Sequence, residues 1–397
     1  MIQDSQQLHE PMKSAAAELL RSEFGPGSCP CFVSVPGRVN LIGEHIDYHG
    51  LPVLPMALQR RVTMAFRPRA DSEIHAISQS YGRREFPLSA DPQPGPPGDW
   101  ANYLKAAMKI AAAGWKLKRG LDAAVVSDLP PAAGLSSSSA VLAGFTLALL
   151  HANDYSPALN ELLGILPDGE HFVGTRGGGM DHAAVLACQT GTALLIQFEP
   201  LDLNAIPIPV DWSLLVAHSL TTAEKSGAVN AQYNARRSAG LNALRRLGFE
   251  SYRDAVARHS PAELQSLAET LPPDERRSFL HVVTEAIRVR DSVAALRARA
   301  IDEFGRLLTA SHASLRDQLL VSNAALDELV DCALGAGAAG ARLTGAGFGG
   351  CAIILARNGD GERLRGELLS RYYAKRPGFD PEQHLFFAQP SAGAMRG

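Results

Sequence analysis

Leu129-Pro130-Pro131-Ala132-Ala133-Gly134-Leu135-Ser136-Ser137-Ser138-Ser139-Ala140 decides how this chain is read. Before it, Leu121 to Val126 is a short apolar run that reads as a strand. After it, Ser138 to about His151 is rich in Ala and Leu and reads as a helix. Residues 130–134 are then the turn of a strand–turn–helix unit. The N–H groups at a helix start are free, and the dipole there is positive, so such a start binds phosphate. Small residues let the backbone close on phosphate oxygens. Serine hydroxyls add hydrogen bonds or ligate Mg²⁺. No Gly-Lys-Ser/Thr follows, so this is not a P-loop. Serine is also a common N-cap, and alone the stretch reads more often as a capped helix or a flexible loop.

Two further clusters lie on either side. Gly345-Ala346-Gly347-Phe348-Gly349-Gly350 precedes a strand-like run, Ala352 to Leu355. Four glycines in six residues point to a sharp turn or a close backbone approach, though alone this is a tight loop. Earlier, Pro36 to Tyr48 places Arg38, Asn40, Glu44, His45 and Asp47 among apolar residues. That mixture predicts partial burial, and buried polar groups need partners. A polyhydroxylated ligand would supply them.

The remaining chain frames these motifs. Residues 12–23 read as a helix, and Cys31 to Val35, Val53 to Leu58 and Val62 to Phe66 as strands. Asp91 to Gly98, with four prolines and two glycines, is a surface loop, and Trp100 to Ala113 a helix. Ala193 to Phe198 reads as a strand; Pro207, Pro209 and Asp211 then break the pattern. This predicts a boundary near residue 205, dividing the chain into units 1–205 and 206–397. Helices are expected at 227–247, 274–297 and 323–335. Strands and helices interleave in both halves, so the class is α/β or α+β. At 397 residues, two domains are the natural expectation.

Composition narrows the function. Hydrophobic residues make up 46% and charged residues 20%, as in an ordinary globular protein. A net charge of −3 gives no basic excess for nucleic acid or a membrane surface. No run approaches a membrane span, and the polar Met1 to Ser14 does not read as a signal peptide. Cys29, Cys31, Cys188, Cys332 and Cys351 form neither a disulfide framework nor a zinc pattern. The expectation is a reduced, cytoplasmic enzyme with cysteines used for packing.

Gly37 to Leu58, GRVNLIGEHIDYHGLPVLPMAL, resembles the galactokinase signature. LPPAAGLSSSSA and, from Leu343, LTGAGFGGCAIIL resemble the phosphate-binding and third motifs of the GHMP superfamily of galactokinase, homoserine, mevalonate and phosphomevalonate kinases. Trp100 to Tyr103, GTRGGGMDH from Gly174 and QYNARR from Gln232 fall in galactokinase order. Together these cover nearly the whole chain, and separate motifs in order are far more specific than any one.

The resemblance implies an α+β, two-domain GHMP kinase fold: an N-terminal domain like ribosomal protein S5 domain 2, a C-terminal ferredoxin-like domain, and the active site between them. It implies ATP-dependent, Mg²⁺-requiring phosphorylation of a sugar, galactose first, at the anomeric hydroxyl. Asp181 is then the candidate general base, taking the proton or only orienting the hydroxyl, with Arg38 its catalytic partner; a helix cap is the alternative for Asp181. Glu44, His45, Asp47, Gly178 and Tyr233 bind sugar. Gly134, Leu135, Ser136, Ser137, Ser138, Ser139, Trp100, Tyr103, Gly345 and Gly347 bind ATP, with Ser138 and Glu170 on the metal. For His45, an ordinary satisfied core histidine is the alternative; for Trp100 and Tyr103, a helix core face. Ile46, the triple glycine 177–179 and Ala346 resemble the N-acetylgalactosamine kinase branch. His182 departs from both branches, which have Gln there, and Pro167-Asp168-Gly169 is expected to interrupt the helix leading to Glu170. N-acetylgalactosamine, arabinose or another sugar as substrate, and a non-catalytic sugar sensor, stand as alternatives. The assembly expected is a monomer or homodimer.

Overall fold

The computed structural model describes residues 3–4, 10–174, 177–222, 227–357 and 359–396. Thr175 and Arg176 of the Gly174–His182 motif lie outside the described residues, as do Met1, Ile2 and Ser5 to His9 of the N-terminal segment. First come β1 (Gln3–Asp4) and α1 (Glu10–Phe24), then two long strands, β2 (Cys31–Ile42) and β3 (Leu54–Pro68). β4 (Glu73–Ser78), β5 (Gly82–Pro87), α2 (Ala101–Gly114) and β6 (Leu121–Ser127) follow. The described residues of this half form a sheet in the order β1-β13-β2-β3-β6-β4-β5, where β13 is Met395–Arg396 near the far end of the sequence. β3 is continuous where two short strands were expected, because Gln59 to Arg61 stays extended between them.

α3 (Ser137–Ala152) packs across β2 and β3. It has no polar face because it is buried almost all round; Leu142, Phe145, Leu147 and Leu149 are each 1% exposed or less. α4 (Leu159–Phe172) and α5 (Met180–Ala187) pack beside it, and β7 (Thr192–Phe198) pairs with β8 (Leu201–Pro207). The expected break at Pro167–Gly169 does not occur: these residues lie inside α4. Gly169 explains why the helix is kept. A Cβ there would sit 2.8 Å from Leu142, so the residue permits a close helix crossing whose packing outweighs the proline's missing N–H.

The second half contains β9 (Trp212–His218), α6 (Gly227–Arg246), α7 (Tyr252–Arg258), α8 (Pro261–Ala268), α9 (Pro273–Arg297), α10 (Ile301–Ser314), α11 (Ala324–Gly335), β10 (Gly340–Leu343), β11 (Cys351–Arg357), α12 (Gly361–Leu368), α13 (Pro381–His384) and β12 (Leu385–Ala388). Its sheet is antiparallel in the order β10-β11-β9-β12. The two-residue alternation of strands splits its side chains between two cores. Leu215, Ala217, Ala352 and Ile354 pack with Leu329, Val330, Leu364 and Leu368. Leu214, Val216, Ile353 and Leu355 face the other way and join the main core of the first half.

The boundary expected near residue 205 falls inside β8, whose hairpin with β7 runs to Pro207. Nor is 206–397 a closed unit, since β13 returns to pair with β2. Arg61, only 4% exposed, secures that return by donating to the carbonyls of Ala392 (3.0 Å) and Gly393 (2.7 Å). No helix among the described residues is long and apolar enough to cross a membrane. All five cysteines are free thiols.

Candidate active site

Arg38 sits where β2 bulges against β3. The residue before it must be glycine, because a Cβ on Gly37 would lie 2.8 Å from the Leu135 carbonyl. That close approach brings β2 against the serine loop. The Arg38 amide donates to the Leu135 carbonyl (3.1 Å) and Nη1 to the Gly134 carbonyl (2.7 Å). Nε donates to Asp181 Oδ1 at 2.7 Å.

Asp181 lies in the first turn of α5, after Gly179 in a left-handed conformation (φ +96°). Its second oxygen accepts the Ser136 hydroxyl at 2.6 Å. Ser136 itself is left-handed (φ +58°), a conformation costing on the order of 1–3 kcal/mol and found where surrounding structure imposes it. Burial alone would raise the Asp181 pKa, but the Arg38 guanidinium and the Ser136 hydroxyl outweigh it and hold it below the ordinary carboxylate value. Arg38 is correspondingly pushed up, its own burial cost outweighed by Asp181.

Next to this pair stands Asp47. Its Oδ2 accepts the Gly178 amide at 3.0 Å. A Cβ on Gly178 would fall 2.3 Å from the Tyr48 nitrogen, so only glycine allows the two segments to meet. Burial, helped by the negative charge of Asp181, pushes the Asp47 carboxyl up to about 7. The half-buried Tyr233 ring packs 5.1 Å from His45 and 5.6 Å from Tyr48.

Glu44 and His45 both meet protein partners. Glu44, 2% exposed, accepts the Gly345 amide at 2.6 Å and lies 3.5 Å from Arg342. Burial pushes its pKa up, against the pull of Arg342 and Arg38. His45 is left-handed (φ +60°); its Nδ1 meets the Tyr48 hydroxyl (2.8 Å) and its Nε2 the Ala346 carbonyl (3.1 Å). Burial pushes its pKa down to about 3, so the ring is neutral. Both residues fasten the sugar-signature turn to the third motif.

The third motif also touches the serine loop. Gly345 (φ +84°) has no room for a side chain, since a Cβ would lie 2.7 Å from the Gly134 carbonyl. Gly347 (φ +80°) is equally tight against Val321. Leu135, Ser136 and Ser139 are buried at the start of α3, while Gly134, Ser137 and Ser138 are half-buried. Trp100, 8% exposed, belongs to the hydrophobic core, with its indole N–H unpartnered; Tyr103 is half-buried.

Glu170 Oε1 accepts the hydroxyl of Ser139 at 2.6 Å, the neighbour of the expected Ser138. No group of three or more His, Cys, Asp or Glu among the described residues could cage a metal. A lone carboxylate beside serine hydroxyls suits Mg²⁺, which binds through one or two carboxylates and arrives with phosphate oxygens and water.

Three residues of this site were missed in the sequence. Glu285, fully buried in α9, accepts the Gly43 amide (2.9 Å), the Ser311 hydroxyl (2.6 Å) and Arg288 Nε (2.7 Å). Burial opposes its charge, but Arg288, His281 and Arg342 hold its pKa at about 2. His281 reaches the Glu44 carbonyl at 3.0 Å. Arg342, with no exposed surface, donates to the carbonyls of Asn40 (2.9 Å) and Leu41 (2.8 Å). A faint signal existed: His281, Glu285 and Arg288 recur at helical spacing in an otherwise apolar segment.

A serine loop opening a buried helix, covered by a glycine turn from a second sheet, is the arrangement of a GHMP kinase. The chain matches the GHMP kinase N-terminal domain over residues 102–189 and the C-terminal domain over 292–375. It also matches the galactokinase galactose-binding signature over residues 18–68. The galactokinase of Roseiflexus sp. strain RS-1 is 35% identical over 86% of this chain and 87% of its own length. Human galactokinase is 36% identical over the same shares. The chain belongs to the galactokinase family. The crystal structure of Lactococcus lactis galactokinase complexed with galactose superimposes with a TM-score of 0.87 at 27% identity, covering 97% of this chain and 99% of that one. A mevalonate kinase structure, at TM-score 0.59 and 19% identity, shares the fold.

Proposed function

We propose that this protein transfers the terminal phosphoryl group of ATP to the anomeric hydroxyl of galactose. One observation carries the reading: Arg38 of the sugar signature, Asp181 of the glycine-rich turn and Ser136 of the serine loop form one hydrogen-bonded unit. It joins the place where sugar binds to the place where phosphate binds.

Phosphoryl transfer depends mainly on positioning and charge stabilisation. ATP is the phosphoryl donor, held at the start of α3, with Gly345 and Gly347 closing over it. Ser138 and Glu170 would hold Mg²⁺, which would supply charge neutralisation. Asp47 and Tyr233 hold sugar hydroxyls, and Gly178 lets the sugar come close. Asp181 orients the anomeric hydroxyl. Held below the ordinary carboxylate pKa, it is a weak base, so it takes the proton late, as the hydroxyl becomes acidic on attack. Arg38 keeps Asp181 ionised and is placed to stabilise charge on the moving phosphoryl group. Tyr103, half-buried, would border the adenine side, with Trp100 behind it in the core.

ATP consumption against galactose, N-acetylgalactosamine, arabinose, glucose and mevalonate tests the reading. Galactose gives the highest kcat/KM; a higher value for N-acetylgalactosamine would move the protein to that branch, and no turnover of any sugar would leave the sensor reading.

A further inference from the structure

His182 is 1% exposed, and neither ring nitrogen has a hydrogen-bond partner. Its Nε2 lies 3.8 Å from Glu170 Oε1. A buried imidazole with both nitrogens unmet is costly to keep, and an apolar residue would fill the place better. The ring stands one residue after Asp181 on α5, facing α4.

The two oxygens of Glu170 are not equivalent. Oε1 already accepts the Ser139 hydroxyl at 2.6 Å and is the oxygen nearest His182. Oε2 faces the turn at Gly177, where a Cβ would lie 3.3 Å away. A second donor on Oε1 would fix the plane of the carboxylate and leave Oε2 free for a cation. Partners of this kind behind a ligating carboxylate set metal affinity.

We infer that His182 is a positioning residue for Glu170: its Nε2–H closes onto Oε1 when a divalent cation and nucleotide bind, presenting Oε2 to the cation. This rests on the reading of Glu170 as a cation ligand. The neutral ring suffices, because one ring nitrogen always carries a proton.

The test is Mn²⁺ binding to the full chain with a non-hydrolysable ATP analogue, followed by electron paramagnetic resonance, with melting temperature measured alongside. His182→Leu should weaken Mn²⁺ binding by about 10–100-fold. The same variant should melt no lower than the parent, because it removes an unmet buried polar group. His182→Gln, which keeps an N–H donor, should restore most of the affinity. His182→Phe offers the same test with the ring shape kept, should Leu not be accommodated. If Glu170→Gln weakens Mn²⁺ binding while His182→Leu and His182→Phe bind it like the parent, His182 is only a core residue and the inference is wrong. If Glu170→Gln also binds Mn²⁺ like the parent, the Glu170 assignment falls and the positioning role with it.

Discussion

Glu285 accepts the amide of Gly43 at 2.9 Å, across 242 residues of sequence. Through this bond a helix of the second half holds the turn that carries Glu44, His45 and Asp47. Gly43 is left-handed (φ +102°), and His45 two residues later is too. Gly43 takes this conformation freely, but His45 does not, so the turn needs outside bonds to keep its shape.

Glu285→Gln keeps the shape but loses the charge that balances Arg288 and Arg342. Breaking a buried pair costs about 3–5 kcal/mol, so the melting temperature should fall. Because the turn carries Asp47, the sugar KM should also rise, by about tenfold for a misplaced contact worth ~1.4 kcal/mol. A lower melting temperature with an unchanged sugar KM would make Glu285 a purely structural residue.

Asp181→Asn keeps the hydrogen-bonding shape and removes the basic oxygen. The kcat should fall by about 10²–10⁴-fold with little change in sugar KM. Arg38→Lys should lose less, since a positive charge survives without the planar fork. Melting temperature should be measured with both variants. A capping Asp would instead show lower stability and near-normal turnover.

Asp47 gives the pH dependence. Its carboxyl is raised from 3.8 to about 7, so in the free enzyme it holds its proton below that value. An acceptor for a sugar hydroxyl is then lost, and kcat/KM should fall as pH drops through about 7. Asp47→Asn, at a lower level, should remove this limb. The stability sign is opposite. A carboxyl raised in the fold favours the folded state below 3.8, and that contribution is lost as pH rises towards about 7. Asp47→Asn should therefore gain melting temperature relative to the parent at pH 8 more than at pH 4. An acidic limb that survives in Asp47→Asn would place the titrating group elsewhere.

Ser138→Ala tests the serine loop. It should raise the KM for Mg·ATP while leaving sugar affinity, measured by calorimetry without nucleotide, unchanged. Unaltered ATP kinetics would remove Ser138 from the nucleotide site.

Much of this site could be read before any coordinates, because its motifs are local. The strand–turn–helix around Ser136 is written in contiguous residues, and so are the glycines at 345–350. The roles of Glu44 and His45 were not legible in the same way. A polar residue among apolar ones announces burial, but not whether its partner is a ligand or the protein. Glu44 turned out to meet Gly345, and His45 to meet Tyr48 and Ala346. Pro167-Asp168-Gly169 misled for a related reason. Helix breakers are weighed by propensity, whereas here close packing of Gly169 on Leu142 decides. Glu285 lay beyond reach because nothing local links residue 285 to residue 43.

Phosphoryl transfer to the anomeric oxygen of galactose would leave a distinct product signal. Phosphorus–proton correlated NMR of the protein with ATP, Mg²⁺ and galactose tests it most directly. A new phosphomonoester signal correlated with the anomeric proton of the sugar should grow as ADP forms, and should be nearly absent with Asp181→Asn over the same period. A phosphoester correlated with any other sugar proton, or ATP that stays intact beside galactose, would contradict it.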